Sequence, residues 1–337
     1  MSAMTVLPIT VLMPVYNAAP FVQCAIDSIL SQSYGGFEFL IIDDGSTDDS
    51  WQILELAARQ DRRIRLLRHE TNLGLVPTLN RGLALAQGEY VARMDADDES
   101  ADGRLAQQLA FLQANPQVGV CGAWARTFGQ RAQAMRYPTD DAGIRAALLF
   151  HSPFAHPSVM MRRQPLVDFN LTYDERRRHV EDYAFWLCWA DHTQFANLPA
   201  YLLRYRLHPK QTGQCHSAEQ HAGRRRIWYS QLLALGIDAG EAELGLHEIA
   251  AGVRTVRNPA QLAAVEQWLL HLAAANRRVK RYPQRAFAAL LTEKWLRLGL
   301  AAPGRTLANV GWVVASPLMR GADLRAWAHY FWQRARS

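Results

Sequence analysis

Four cysteines in 337 residues (Cys24, Cys121, Cys188 and Cys215) are too few and too scattered for a disulfide framework. No C-x-x-C pair is present for zinc or thiol exchange. Buried, reduced thiols are the expectation, and they fit a cytoplasmic chain. Met1 to Pro8 lacks a basic stretch followed by a long apolar core, so no secretory leader is expected. No run of about 20 apolar residues occurs, which argues against a membrane-spanning helix. Internal repeats and low-complexity tracts are missing as well. So is a G-x-G-x-x-G turn after the first apolar run, the signature a dehydrogenase would carry there.

What is present suits a large folded core. The chain is 49% hydrophobic, enough for one large domain with an appendage or for two domains. Charge is uneven. His221 to Ser337 holds 17 Lys and Arg against 7 Asp and Glu, a net +10, within a whole-chain charge of +6. That basic third suits an anionic partner, either nucleic acid or a membrane surface. Turn residues at His208-Pro209 and Thr212-Gly213 precede the change in composition. They place a boundary near Cys215, giving domains at 1–215 and 216–337.

The first half alternates strand-like and helix-like segments. Strands are expected over Thr5–Met13, Phe37–Ile42, Ile64–Arg68 and Gly88–Met94. Helices are expected over Pro20–Ser33, Ser50–Arg59 (capped by Ser46, Thr47 or Asp48) and Pro77–Ala86. Such alternation predicts a mainly parallel sheet with helices on both faces. The middle is mixed, with strands at Val118–Phe128 and Ser158–Arg162 and a helix at Val180–Ala190. From Ser217 the chain reads as mostly helical.

Ligands bind such sheets outside the carboxyl ends of the strands, and three polar clusters fall there. Pro14-Val15-Tyr16-Asn17 offers an aromatic face for a flat ring and an amide for polar contact, or forms an ordinary strand-to-helix turn. Asp43-Asp44-Gly45-Ser46 turns sharply at Gly45, and its paired carboxylates exceed what capping needs. Met94-Asp95-Ala96-Asp97-Asp98 sets carboxylates one residue apart at a strand end, where they can converge on one hard cation that holds a diphosphate. Further on, Glu181-Asp182 opens an apolar helical run, a place where carboxylates also simply complement the helix dipole.

Three ordered segments carry a family resemblance: Val11-Leu12-Met13-Pro14-Val15-Tyr16-Asn17, Ser28 to Tyr34, and Phe37 to Asp48. With Asn72-Leu73-Gly74, Asn80 and the acidic loop at Asp95, they resemble the inverting glycosyltransferases of family 2, which have the GT-A fold. The likeness spans about residues 6 to 210 and is missing after Cys215. It implies an α/β class with a GT-A-type (Rossmann-like), mainly parallel sheet and flanking helices, followed by a mostly helical C-terminal region. By the same resemblance Pro14, Tyr16 and Asp44 hold the uracil or thymine base and the ribose, with Asn17 beside them. Asp97 is the direct ligand of Mg²⁺ or Mn²⁺, and Asp95 contacts ribose, metal or metal-bound water. Asp182 of the Glu-Asp pair is the general base. Arg206 and His208 lie in a Tyr-Arg-x-His segment and reach the diphosphate or metal, or anchor a loop. His156, in a His-Pro-Ser segment, is an acceptor-side group or a structural hydrogen bonder.

The implied reaction uses a nucleotide-sugar donor, a UDP-sugar first and a dTDP-sugar next, and a glycan or lipid-linked acceptor of the kind found in bacterial surface polysaccharide. Near the C-terminus Trp295, Trp312, Trp327, Tyr330, Phe331 and Trp332 interleave with Lys294, Arg297, Arg320, Arg325, Arg334 and Arg336. That pattern suits either peripheral contact with the inner face of the cell membrane or an ordinary packing helix. Nucleic-acid binding rests on the basic tail alone and is not expected. Two other readings compete: a non-catalytic nucleotide-sugar-binding or assembly protein, which has no need of Asp182, and a sugar-phosphate nucleotidyltransferase. The latter needs a Gly-rich basic loop where Pro14-Val15-Tyr16-Asn17 stands.

Overall fold

The apolar run at the start of the chain forms β1 (Ile9–Val15), buried at every position. It belongs to a computed structural model that describes residues 8–209, 216–301 and 307–319. There follow α1 (Val22–Leu30), β2 (Phe37–Asp43), α2 (Ser50–Gln60), β3 (Ile64–Arg68), α3 (Leu75–Leu85) and β4 (Tyr90–Arg93). β1 pairs in parallel with β2 and β4, and β2 with β3. The two-residue period of β1 explains the layering. Ile9, Val11, Met13 and Val15 join one core with Ala25, Ile26, Ile29 and Leu54 of α1 and α2. Leu12 faces the other way, against Gly82 of α3, where a Cβ would stand 2.2 Å from its Cδ1.

Two local expectations need correction. α3 starts at Leu75, so Pro77 sits within the first turn, where its missing N–H costs no helical bond. The N-cap of α2 is Asp49, whose side chain makes no capping bond. Ser46 and Thr47 are instead engaged by the first loop, while Asp48 Oδ1 accepts from the Ser50 N–H at 3.0 Å.

The second half of the sheet comprises β5 (Glu99–Ser100), β6 (Val118–Gly129), β7 (Ala134–Met135), β8 (Met160–Arg162) and β9 (Gln194–Leu207). The order is β3-β2-β1-β4-β8-β6-β9-β5, with β7 paired to β6. β8 runs antiparallel to β4 and β6, and β6 and β9 pair in parallel. β9 escaped the sequence reading because its alternation is broken near Pro199, where the β6–β9 register shifts. The remaining helices of this half are α4 (Arg104–Ala114), α5 (Asp141–Ala147), α6 (Arg163–Asp168) and α7 (Glu181–Trp189).

The C-terminal part is helical: α8 (Ser217–Ala234), α9 (Glu241–Ala250), α10 (Pro259–Val279), α11 (Gln284–Ala301) and α12 (Leu307–Ala315). The chain divides into two compact units, Met1–Asp140 with Pro153–Gln220, and Asp141–Ser152 with His221–Ser337. Asp141–Ser152 groups with the helical unit because Leu149 and Phe150 are buried in its core beside Trp268, Leu272 and Trp295. Trp228 Nε1 donates to the Phe150 carbonyl at 3.0 Å.

Trp295, Leu296, Val313 and Leu318 are core residues of this second unit, and Trp295 Nε1 donates to the Val313 carbonyl. Lys294 is buried over the Phe150 ring. These residues pack inward, the packing alternative for this stretch. Trp327, Tyr330, Phe331 and Trp332, with Arg320, Arg325, Arg334 and Arg336, lie outside the described residues. Among the described residues no helix is long and apolar enough to cross a membrane. The thiols also depart from expectation: Cys121 is buried, whereas Cys24 and Cys188 are exposed, and Cys215 lies outside the described residues.

His247 carries a prediction. It is fully buried, its Nε2 donating to the Leu149 carbonyl at 3.0 Å and its Nδ1 accepting a long 3.4 Å contact from Trp268 Nε1. Burial lowers its pKa to about 3, and burial with nearby Lys294 lowers that of His151 to about 4. Both folded values lie below the ordinary 6.5. The unfolded chain therefore binds more protons, and stability is lost as pH falls from about 6.5 toward 4. The urea midpoint should drop through that window, and proton NMR should show neither ring titrating between about pH 8 and pH 5.

Candidate active site

Parallel pairing brings the carboxyl ends of β1, β2 and β4 to one edge, with Val15 opposite Asp43 and Leu12 opposite Arg93. The loops that follow are tied together. Asn17 has φ 49, a left-handed geometry that asparagine tolerates. Its backbone N–H donates to Ser46 Oγ at 3.0 Å, and its side-chain oxygen accepts from the Thr47 N–H at 2.9 Å. Gly45 has φ +71, and a Cβ there would meet the Thr71 carbonyl carbon at 2.6 Å. Only glycine suits both the backbone angle and the close approach.

Pro14 is buried, whereas Tyr16 is 49% exposed and presents an open ring face. Asp44 is buried and multiply bonded. Its Oδ1 lies 2.8 Å from His69 Nδ1 and accepts from the Leu73 N–H at 2.9 Å, and its Oδ2 accepts from the Gly74 N–H at 2.8 Å. A carboxylate has about four acceptor positions, so capacity for one more donor remains. His69 closes β3's end of this network and had no signal in the local sequence.

The acidic loop follows β4. Asp95, Asp97 and Asp98 each offer a carboxylate oxygen within 4.8 Å of the others. Arg93, the last residue of β4 and itself buried, forms an ion pair with Asp95. The short ladder between β5 and β9 sets Glu99 opposite Arg204 and carries the next residues of β9 to the same loop. Arg206 donates its backbone N–H to Asp98 Oδ1 at 2.8 Å and its Nε to the Asp97 carbonyl at 2.8 Å. It also pairs with Glu99 at 2.9 Å. His208 Nε2 lies 3.0 Å from Asp97 Oδ2. The structure thus brings Asp95, Asp97, Arg206 and His208 together.

Charge in this loop is under strain. Burial, then Asp97 and Asp95, raise the Asp98 carboxyl well above the ordinary range, and Asp98 Oδ2 is buried without a hydrogen-bond partner. Burial also raises Asp95; Arg93 opposes the rise, and the charges of Asp97 and Asp182 add to it. Oxygen-only donors with an orphaned buried oxygen fit a hard divalent cation.

Asp182 lies in the first turn of α7. Its charge is felt at Asp95 and at the buried phenols Tyr137 and Tyr173, so it lies within Coulomb range of the acidic loop. Glu181 is buried, and burial followed by the Asp182 charge raises it to about 7. Tyr173 feels Arg93, Asp95, Glu181 and Asp182 together, and its hydroxyl lies 2.8 Å from His156 Nε2. Asn80 holds the Tyr173 backbone through a reciprocal pair at 2.9 Å each. Burial, then Arg93, keeps His156 well below the usual imidazole range. Arg93 and Tyr173 were missed in the sequence. An arginine in an otherwise apolar strand directly before the acidic run was a usable signal for the first, and no local pattern marked the second.

Comparison with known proteins identifies the family and the fold. The model of the family described as "Glycosyl transferase family 2" matches residues 10–169. An uncharacterized glycosyltransferase of Haemophilus influenzae is 30% identical over 230 residues, covering 65% of this chain and 71% of that protein. A second one from the same organism is 35% identical over 179 residues, covering 53% and 70%. Among solved structures, residues 1–349 of S. aureus TarS, crystallised with UDP-GlcNAc, superpose with a TM-score of 0.57 at 19% identity, covering 92% of this chain and 88% of that one. That likeness shows a shared GT-A fold.

The loop bracing is testable at Gly45. Gly45→Ala forces a side chain into the left-handed region and against the Thr71 backbone. It should cost about 2 kcal/mol or more, read as a lowered urea midpoint with an unchanged slope.

Proposed function

The chain belongs to glycosyl transferase family 2, and on that premise we propose that it moves a sugar, with inversion, from a nucleotide-diphosphate donor to a hydroxyl of a glycan or lipid-linked acceptor. The proposed donor is a UDP-sugar, with a dTDP-sugar next. The observation that supports the reading is that the Asp182 charge is among the influences raising the Asp95 carboxyl, so a helix-borne carboxylate lies within Coulomb range of the acidic strand-end loop. The UDP-GlcNAc complex of TarS supports the donor class.

In this reading Tyr16 offers its exposed face to the base, and Asp44 uses its remaining acceptor capacity for a base N–H while its other bonds hold the Leu73-Gly74 turn. Asn17 serves chiefly by fastening the two loops. Asp97 and Asp95, with His208 beside them, are the residues that would hold Mg²⁺ or Mn²⁺, whose charge offsets that developing on the leaving diphosphate. Arg206 braces this loop from β9. Asp182 takes the proton from the acceptor hydroxyl as that oxygen attacks the anomeric carbon from the face opposite the diphosphate. The bond to the diphosphate breaks with its electron pair left on the phosphate oxygen. One displacement inverts the centre and requires no covalent sugar–enzyme intermediate. Glu181, raised to about 7 by burial and then by the Asp182 charge, holds its proton more readily than an ordinary carboxyl.

Asp182→Asn should lower turnover by about 10²- to 10⁴-fold while leaving donor affinity close to wild type, measured as nucleoside diphosphate released with candidate acceptors. Release of pyrophosphate instead would point to nucleotidyl transfer, and donor binding without any release to a non-catalytic role. Asp97→Ala should weaken donor binding in the presence of Mn²⁺ but change it little with chelator, by calorimetry. Product NMR reads the anomeric configuration, and retention would overturn the single-displacement scheme.

A further inference from the structure

Away from the acidic loop, one other convergence of metal-binding side chains occurs among the described residues. His179, His216 and Glu219 each offer a donor atom within 4.8 Å of the other two. His179 comes from the segment leading into α7, and His216 directly precedes α8, on which Glu219 lies in the first turn. All three belong to the first compact unit.

The donor atoms lie within reach of a single ion. His216 Nδ1 and Glu219 Oε2 are 3.3 Å apart. That is close to the donor–donor edge of a tetrahedral ion with bonds of about 2.0 to 2.1 Å. The imidazoles of His179 and His216 lie nearly parallel, 11° apart with centroids at 4.2 Å. Stacked rings aim their nitrogens in parallel, so closing on one ion requires one imidazole to turn. His179 has φ 65, a left-handed backbone that costs a non-glycine residue roughly 1 kcal/mol or more. His216 and Glu219 are partly exposed, at 45% and 64% of their side chains, so both have room for the small rotations that closing on an ion requires.

Donor type separates this cluster from the acidic loop. Two imidazole nitrogens and one carboxylate suit a borderline ion such as Zn²⁺, whereas three carboxylates suit Mg²⁺ or Mn²⁺. We propose that His179, His216 and Glu219 form a second metal site, selective for Zn²⁺-class ions and distinct from the Asp95–Asp97–Asp98 loop, with a fourth position left for water. Its place gives it a consequence. His179 stands immediately before Val180-Glu181-Asp182, so the ion ties the approach to α7 to the start of α8. The site acts as a clasp on the segment that presents Asp182. The binding claim does not depend on the proposed transferase activity.

The test uses the full chain, freed of metal by chelator and then titrated with Zn²⁺ alone in a large excess of Mg²⁺. The excess Mg²⁺ competes for the carboxylate loop. Wild type should take up about one equivalent of Zn²⁺, and substitution by Co²⁺ should give the visible d–d bands of a tetrahedral nitrogen-containing site. His179→Asn keeps a residue that tolerates the left-handed backbone while removing the imidazole. His179→Asn, His216→Ala and Glu219→Gln should each weaken Zn²⁺ by about tenfold or more, with circular dichroism unchanged. Asp97→Asn should leave this uptake intact. Failure of wild type to bind Zn²⁺ under excess Mg²⁺ would overturn the proposal, as would uptake that survives both His179→Asn and His216→Ala. Either result would leave the stacked histidines and the His216–Glu219 pair as ordinary surface packing.

Discussion

Negative charge crowded at the end of β4 is the constraint on which the rest of the structure depends. Three carboxylates within 4.8 Å of one another repel by about 3 kcal/mol per pair at an effective dielectric near 20. The fold answers with hydrogen-bonding and charged partners drawn from different places in the chain. Arg93 reaches Asp95 from the strand beneath, while Arg206 and His208 arrive from the end of β9. The β5–β9 ladder is short, yet it fixes which residues of β9 meet the loop. Even so, Asp98 keeps a buried oxygen unbonded and a raised carboxyl. A site so arranged favours a bound cation more strongly than an ordinary surface cluster, because burial removes the water that would otherwise screen the repulsion.

A second theme is that residues marked for ligand contact also hold the scaffold. Asn17 spends its side-chain oxygen on Thr47, and Asp44 spends three acceptor positions on His69, Leu73 and Gly74. The donor loops are therefore preorganised by the same groups that would meet a nucleotide. Preorganisation of this kind lowers the ordering cost at binding. It also makes substitutions there ambiguous, since a loss of binding can follow from a displaced loop.

Much of the architecture was legible in the residue pattern. The alternation of apolar strands with amphipathic helices through Met94 set the parallel half of the sheet, since each strand must bury both faces. Asp95, Asp97 and Asp98 were legible as a group because they are neighbours in the chain. Other features were hidden for stated reasons. β9 was hidden by the Pro199 interruption, and the grouping of Asp141–Ser152 with the helical unit by its remoteness from the helices it packs with. Of the expected caps of α2, Ser46 and Thr47 are engaged by Asn17 of the first loop, while Asp48 accepts from the N–H of the helix's first residue, Ser50. Trp295, Leu296, Val313 and Leu318 were open in one dimension to either an interfacial or a packing role and are core residues in three.

By itself the sequence determined the local chemistry: which strand ends carry acid, which turn demands glycine, and that a carboxylate pair opens α7. These follow from period, propensity and adjacency, which are properties of neighbouring residues. The tertiary structure alone decided which of those groups share a space. It set Asp182 where its charge reaches Asp95, seated Tyr173 within Coulomb range of Arg93 and Glu181, and brought His179 to His216. Such juxtapositions depend on chain crossings between distant segments, and Coulomb interaction and hydrogen bonding act through distance in space, for which separation along the chain is no guide.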